Sequence, residues 1–130
     1  MEISDVVKEW WRYAEMDLAT ATRMLAHHPV PLEIIAYHCQ QAAEKFLKSF
    51  LVYNNQDVPK THDIVEICSK CSVIYGDFME LYEQCKKLNP YAISTRYPSG
   101  LQLADYHIKE ALECAEEIKE FVLKAITPLN

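Results

Sequence analysis

The chain has 130 residues, half of them hydrophobic and a quarter charged, which suits one globular domain with one core. A formal charge of −6 and a pI near 5.3 argue against a binder that works by neutralising many phosphates over its whole surface. Only two glycines and no stretch of roughly 20 apolar residues argue against a strand-rich fold and a membrane span.

The first helix is expected to start at Ser4 or Asp5 and to run to about His27. Trp11, Ala14, Leu18, Ala21 and Leu25 follow at three- and four-residue steps, and Val7 and Trp10 widen that stripe. Pro29 and Pro31 turn the chain. A second helix spans about Leu32 to Tyr53, with Asn54-Asn55 as its stop because asparagine tolerates the left-handed conformation. Thr61 then reads as the N-cap of a third helix, His62 to about Ser72, which buries Ile64, Val65, Ile67 and Cys68. A fourth runs from about Asp77 to Leu88 on Phe78, Leu81, Tyr82 and Cys85. Tyr91 to Gly100 reads as mostly loop, with one turn at Pro90 to Ile93. The last helix, about Leu103 to Ile126, carries Ala104, Ile108, Ala111, Ala115, Ile118, Val122 and Ala125 at alternating steps of four and three. An all-α fold follows, as a single domain over residues 1–130.

The N-terminus Met1-Glu2-Ile3-Ser4-Asp5 lacks the basic start and apolar run of a signal peptide. Five cysteines, an odd number without the spacing of a secreted disulfide framework, fit a reducing compartment, so a cytoplasmic location is expected. Cys68 and Cys71 have CxxC spacing, but zinc wants four ligands and no second pair follows, so no metal is expected. Cys39, Cys85 and Cys114 read as core filler.

Three constellations carry candidate chemistry. On the second helix Gln41, Lys45 and Lys48 recur at steps of four and three, with His38 one turn earlier and Glu44 one turn from Lys48. This stripe either holds a phosphate or orders a neighbouring loop, or it is a solvated face with an ordinary Glu–Lys pair. Thr61-His62-Asp63 is either a plain cap with a surface histidine or a proton carrier beside phosphate-binding amides. Arg96-Tyr97-Pro98 is either a loop tie or a fixed guanidinium fork for phosphate, with Tyr97 able to stack on a base. The middle of the chain gathers Lys45, Lys48, Lys60, Lys86, Lys87 and Arg96, a local basic zone in an acidic protein. No Gly-rich phosphate loop, HExxH or GxSxG is present.

Four segments stand in order along the chain: Trp11 to Asp17-Leu18-Ala19, Ala36-Tyr37-His38-Cys39-Gln40-Gln41-Ala42-Ala43-Glu44-Lys45-Phe46-Leu47-Lys48-Ser49-Phe50-Leu51, Pro59-Lys60-Thr61-His62-Asp63-Ile64, and Arg96-Tyr97-Pro98. Together they resemble the HEPN (higher-eukaryote and prokaryote nucleotide-binding) domain family. The resemblance implies an up-and-down bundle of four to five helices, a prokaryotic origin, homodimerisation and a small nucleotidyltransferase partner in a toxin–antitoxin or substrate-binding-subunit system. Many such proteins are metal-independent ribonucleases with an Arg-x4–6-His motif. Here ten residues separate Arg96 from the next histidine, His107, so the motif is not intact. The expected activity is therefore recognition of a nucleotide or RNA phosphate without a cofactor. Arg96, Tyr97, His62, Lys45, Lys48 and Gln41 are its binding candidates, and Arg96, His62 and His107 the catalytic candidates if RNA is cut. Pure assembly, on the acidic surface and the Ala-rich last helix, is the remaining alternative.

Overall fold

The computed structural model describes residues 2–93, 95, 98 and 102–127. Five α-helices follow in order: α1 Asp5–Met24, α2 Leu32–Tyr53, α3 Ile64–Ile74, α4 Tyr82–Leu88 and α5 Asp105–Ile126. Short 3-10 segments precede and follow α4, at Gly76–Leu81 and Asn89–Ala92. Among the described residues there is no strand, and the architecture is an all-α helical bundle.

The bundle is built around α2. α1 and α5 pack along it, α3 packs on a third side, and α4 closes the gap between α3 and α5. Ala36, Ala42 and Ala43 have no side chain beyond Cβ and are fully buried, which lets the neighbouring helices approach closely. Phe46, Leu47, Phe50 and Leu51 fill the space on the remaining faces. Phe50 meets Phe78 at 4.3 Å between ring centroids, and Phe78 meets Phe121 edge-on at 4.9 Å, so one aromatic cluster joins α2, the first 3-10 segment and α5.

Local chemistry explains the ends. The Ser4 hydroxyl accepts from the Val7 backbone N–H at 3.3 Å and caps α1. α2 stops where expected, through a Schellman closure: Gln56 N–H donates to Leu51 O, Asn55 N–H donates to Val52 O, and Asn55 takes φ 58°.

Several expectations need correction. α1 ends at Met24, not His27, because Leu25, Ala26 and His27 donate three residues back in a tightened turn. That turn leaves Leu25 exposed. Asp63, not Thr61, caps α3: its carboxylate accepts from the backbone N–H groups of Val65 and Glu66, while Thr61 accepts from Asp63 N–H. His62 therefore precedes the helix. The expected fourth helix is split, since the chain bends through the 3-10 segment before α4 begins at Tyr82. α5 starts at Asp105, with Ala104 as an extended N-cap outside the core.

The cysteines are all free and buried. Cys68 Sγ donates to Phe78 O at 3.2 Å and Cys71 Sγ to Leu47 O at 3.5 Å, so the CxxC pair serves the core. Burial pushes the Cys39 thiol up to about 12 and the Cys114 thiol to about 11, which keeps both as inert thiols. Among the described residues no group of three or more His, Cys, Asp or Glu is arranged to hold a metal ion, and no helix is long and apolar enough to cross a membrane.

Candidate functional site

A seam of polar side chains runs along α2 between α1 and the chain entering α3. α2 is packed from several sides, so these groups answer one another rather than bulk water. On the α1 side, Asp17 meets a histidine and a lysine. His38 Nδ1 lies 2.8 Å from Asp17 Oδ1, and the Lys45 ammonium donates to Asp17 Oδ2. Burial pushes the Asp17 carboxyl up, but the hydrogen bonds from His38 and Lys45 outweigh it and hold the net value below the ordinary carboxylate range. Asp17 therefore stays ionised at neutral pH.

On the α3 side, Glu44 is the hub. Lys48 Nζ donates to Glu44 Oε2 at 3.0 Å, and the two side chains are only 7% and 5% exposed. Gln41 Nε2 donates to Gln40 Oε1 at 2.8 Å and also reaches Glu44 Oε1 at 3.4 Å. Gln40, fully buried, donates from Nε2 to the backbone carbonyl of His62 at 3.0 Å. His62 Nδ1 sits 3.0 and 3.1 Å from the two Glu44 oxygens, while its side chain is 59% exposed.

This arrangement fixes a histidine from two directions. Gln40 holds the His62 backbone and Glu44 holds Nδ1. Carboxylate oxygens only accept, so Nδ1 carries the proton and a neutral His62 has its free lone pair on Nε2. The next stretch is also pinned: Asn89 accepts from Ile64 N–H at 2.9 Å and donates to Asp63 Oδ1 at 3.0 Å. The 3-10 segment Asn89–Ala92 is thereby tied beside His62, and Thr95, buried, donates to Tyr91 O at 2.7 Å.

The sequence candidates are thus separated by depth. Gln41, Lys45, Lys48 and His62 belong to one seam. Lys45 and Lys48 each face a carboxylate of this chain, and Lys48 has little contact with solvent. The stripe is not a solvated face: Lys48 is buried, and Gln40 and Glu44 hold the segment of His62, which is the loop-ordering role. His107 lies in the first turn of α5, where its Nδ1 accepts from Ala104 N–H at 2.9 Å and its ring tilts against Tyr106 at 4.0 Å. An accepting Nδ1 leaves the ring proton on Nε2, so the ring is a cap with an outward donor. Arg96 and Tyr97 lie outside the described residues.

Sequence reasoning missed Asp17 and Gln40 as parts of the site. Asp17 is 21 residues from His38 and 28 from Lys45, beyond the reach of any helical period. Gln40 holds a backbone carbonyl on another segment, a role that leaves no mark in helical spacing.

The comparisons with known proteins bear on the fold and the family. The chain is similar to TT1696 from Thermus thermophilus, with a TM-score of 0.79 and 26% identity over 93% of this chain and 98% of that one. It is also similar in fold to ST0689, an archaeal HEPN homologue, with a TM-score of 0.71 and 22% identity over 92% of this chain and 97% of that one. No curated protein matches. The HEPN domain family profile matches residues 7–126, nearly the whole chain, and the chain belongs to the HEPN domain family.

Proposed function

We propose that the chain recognises the phosphate of a nucleotide or RNA, as a homodimer working with a small nucleotidyltransferase in a toxin–antitoxin or substrate-binding-subunit system. Family membership supports this in broad terms, since it ties the chain to nucleotide- or nucleic-acid-related work. The observation that carries the reading is the exposed His62 ring, held at Nδ1 by the buried Glu44. A ring fixed on its inner nitrogen meets a ligand with little further loss of freedom. Arg96 supplies the bidentate grip and Tyr97 the flat contact in this proposal. Lys45 and Gln41 extend the seam toward solvent, and Lys48 acts indirectly by neutralising Glu44. In a titration with labelled nucleotide and single-stranded RNA, Arg96→Ala and His62→Ala should each weaken binding while the fold survives. Unchanged affinity in both variants would sink the proposal. Sedimentation alone and with the nucleotidyltransferase tests the assembly.

A second reading, metal-independent endoribonuclease, is favoured by one feature. A carboxylate-oriented imidazole with an open Nε2 is suited to take a proton from a 2′-hydroxyl, with Arg96 stabilising the crowded phosphate. Purified protein should then cut RNA in EDTA and lose this on His62→Ala. RNA left intact after long incubation rejects the enzyme reading and leaves the binding one standing.

A further inference from the structure

The polar seam does not account for the aromatic side chains on the outer face of α1. Val6, Trp10 and Tyr13 follow at steps of four and three, so they stack on one side of the helix. Together with Glu9 and Lys45 they line a depression of about 370 Å³. Val6 is 57% exposed and Tyr13 47% exposed, a large apolar area to leave open on a charged domain.

The adjacent tryptophans are treated differently. Trp11 turns inward and donates its Nε1–H to Ser49 Oγ at 3.0 Å. Trp10 lines the depression, and among the described residues its indole N–H meets no acceptor. Tyr13 is itself held by a neighbouring cation. The Arg12 guanidinium lies 4.7 Å from the Tyr13 ring centroid and is itself gripped by Glu9 through Nε at 3.2 Å and Nη2 at 2.5 Å. One face of the tyrosine is thus occupied by a cation that a carboxylate fixes.

The depression also joins the seam. Lys45 lines it, and the same ammonium bonds Asp17 beside His38. A ligand resting on the two rings has Lys45 at its edge, Glu9 as an acceptor and, among the described residues, Trp10 as an unused donor. Flat shape, apolar faces, edge donors and acceptors, and an attached negative group are together the properties of a nucleobase on its sugar phosphate.

We propose that Val6, Trp10 and Tyr13 form a base-stacking subsite for a nucleotide or an unpaired RNA base, with Lys45 marking the side from which the sugar phosphate leaves toward the α2 seam. The subsite rests on the phosphate-recognition reading. It adds the element that a phosphate contact lacks, a preference for a ligand with a base over a bare sugar phosphate.

The chain has two tryptophans, Trp10 and Trp11, so intrinsic fluorescence reports on the subsite. AMP and a short oligoadenylate are the probes, with ribose 5-phosphate as the control that keeps the phosphate and lacks the base. AMP or the oligomer should quench wild-type fluorescence saturably, and quenching by the oligomer alone would identify RNA as the source of the base. Trp10→Ala should abolish the saturable quench although Trp11 remains. Tyr13→Ala should weaken binding about tenfold, and Trp10→Phe, which keeps a ring, should retain most of it. Calorimetry should find ribose 5-phosphate binding weaker than AMP and indifferent to all three variants. Equal AMP affinity in wild type and Trp10→Ala overturns the subsite while leaving phosphate recognition intact. Failure of AMP and the oligomer to bind at all overturns both. Self-association in sedimentation that Trp10→Ala abolishes, without any ligand-dependent quench, assigns the face to a second copy and overturns the subsite.

Discussion

The two sides of α2 carry the same chemistry at different depths. Toward α1, Asp17 is met by His38 and Lys45, and the Lys45 side chain is a quarter exposed. Toward α3, Glu44 is met by His62 and Lys48, and here the lysine is sealed while the histidine stands in solvent. Each carboxylate holds one lysine and one histidine. Depth decides which partner is structural and which is free to meet a ligand. On the α3 side the lysine balances the charge inside, so the histidine can be held in place from within and remain open outside.

Removing the hub should have the largest effect. Glu44→Ala leaves the Lys48 ammonium buried without its carboxylate, and breaking such a pair costs about 3–5 kcal/mol. Urea denaturation should show that loss. The double variant Glu44→Leu/Lys48→Met should recover most of it, since apolar replacement of a buried pair is often neutral. A loss below about 1 kcal/mol in the single variant would mean that the α3 side is as wet as the α1 side, and the comparison would collapse.

Asp17→Asn should cost less, about 2 kcal/mol at neutral pH, because its partners keep more contact with water. The pH dependence gives a sharper test. The native Asp17 carboxyl is held below its unfolded value, so its contribution is complete above the ordinary carboxylate range. It fades as pH falls through the lowered native value. Wild-type stability should therefore drop in that acid window, and Asp17→Asn should flatten that part of the curve. An acid limb of unchanged steepness would remove Asp17 from the account.

Trp11→Phe should cost about 1 kcal/mol, by deleting the N–H that reaches the fully buried Ser49 hydroxyl. It tests whether α1 is anchored to α2 by a specific bond as well as by packing. A melting temperature unchanged from wild type would leave packing alone.

The helices were legible because their signals are local. Pro29, Pro31 and Asn54-Asn55 bracket α2, and the apolar periods of α1 and α5 lie within single segments. The cap of α3 was misread because Thr61 and Asp63 are both good caps, and only the backbone path chooses between them. The site was half legible. His62, Lys48 and Gln41 stood out by type and spacing, but their depth did not. An Ala-rich helix with polar residues has the same periodicity whether its polar face meets water or a neighbouring segment. The His62 segment that meets Gln40 and Glu44 comes from 18 to 22 residues further along the chain, a tertiary fact with no local trace.

The smallest change in stability should come from His62→Gln, and for that reason it is the most informative. His62 is mostly exposed, and Glu44 keeps Lys48 and Gln41 when the imidazole is removed. Glutamine keeps a donor and comparable reach. A surface change of this kind stays within about 0.5 kcal/mol. Binding of single-stranded RNA or nucleotide, measured in the same preparation, should nevertheless fall, because glutamine has no rigid ring held at one nitrogen and open at the other. The paired result, folding intact and binding reduced, marks the exposed histidine as the working end of the α3 side. If stability falls as far as in Glu44→Ala, His62 is part of the buried hub and the division by depth is wrong. If neither quantity moves, the Glu44–His62 contact is a surface cap. The search for the ligand site then passes to Arg96 and the aromatic face of α1.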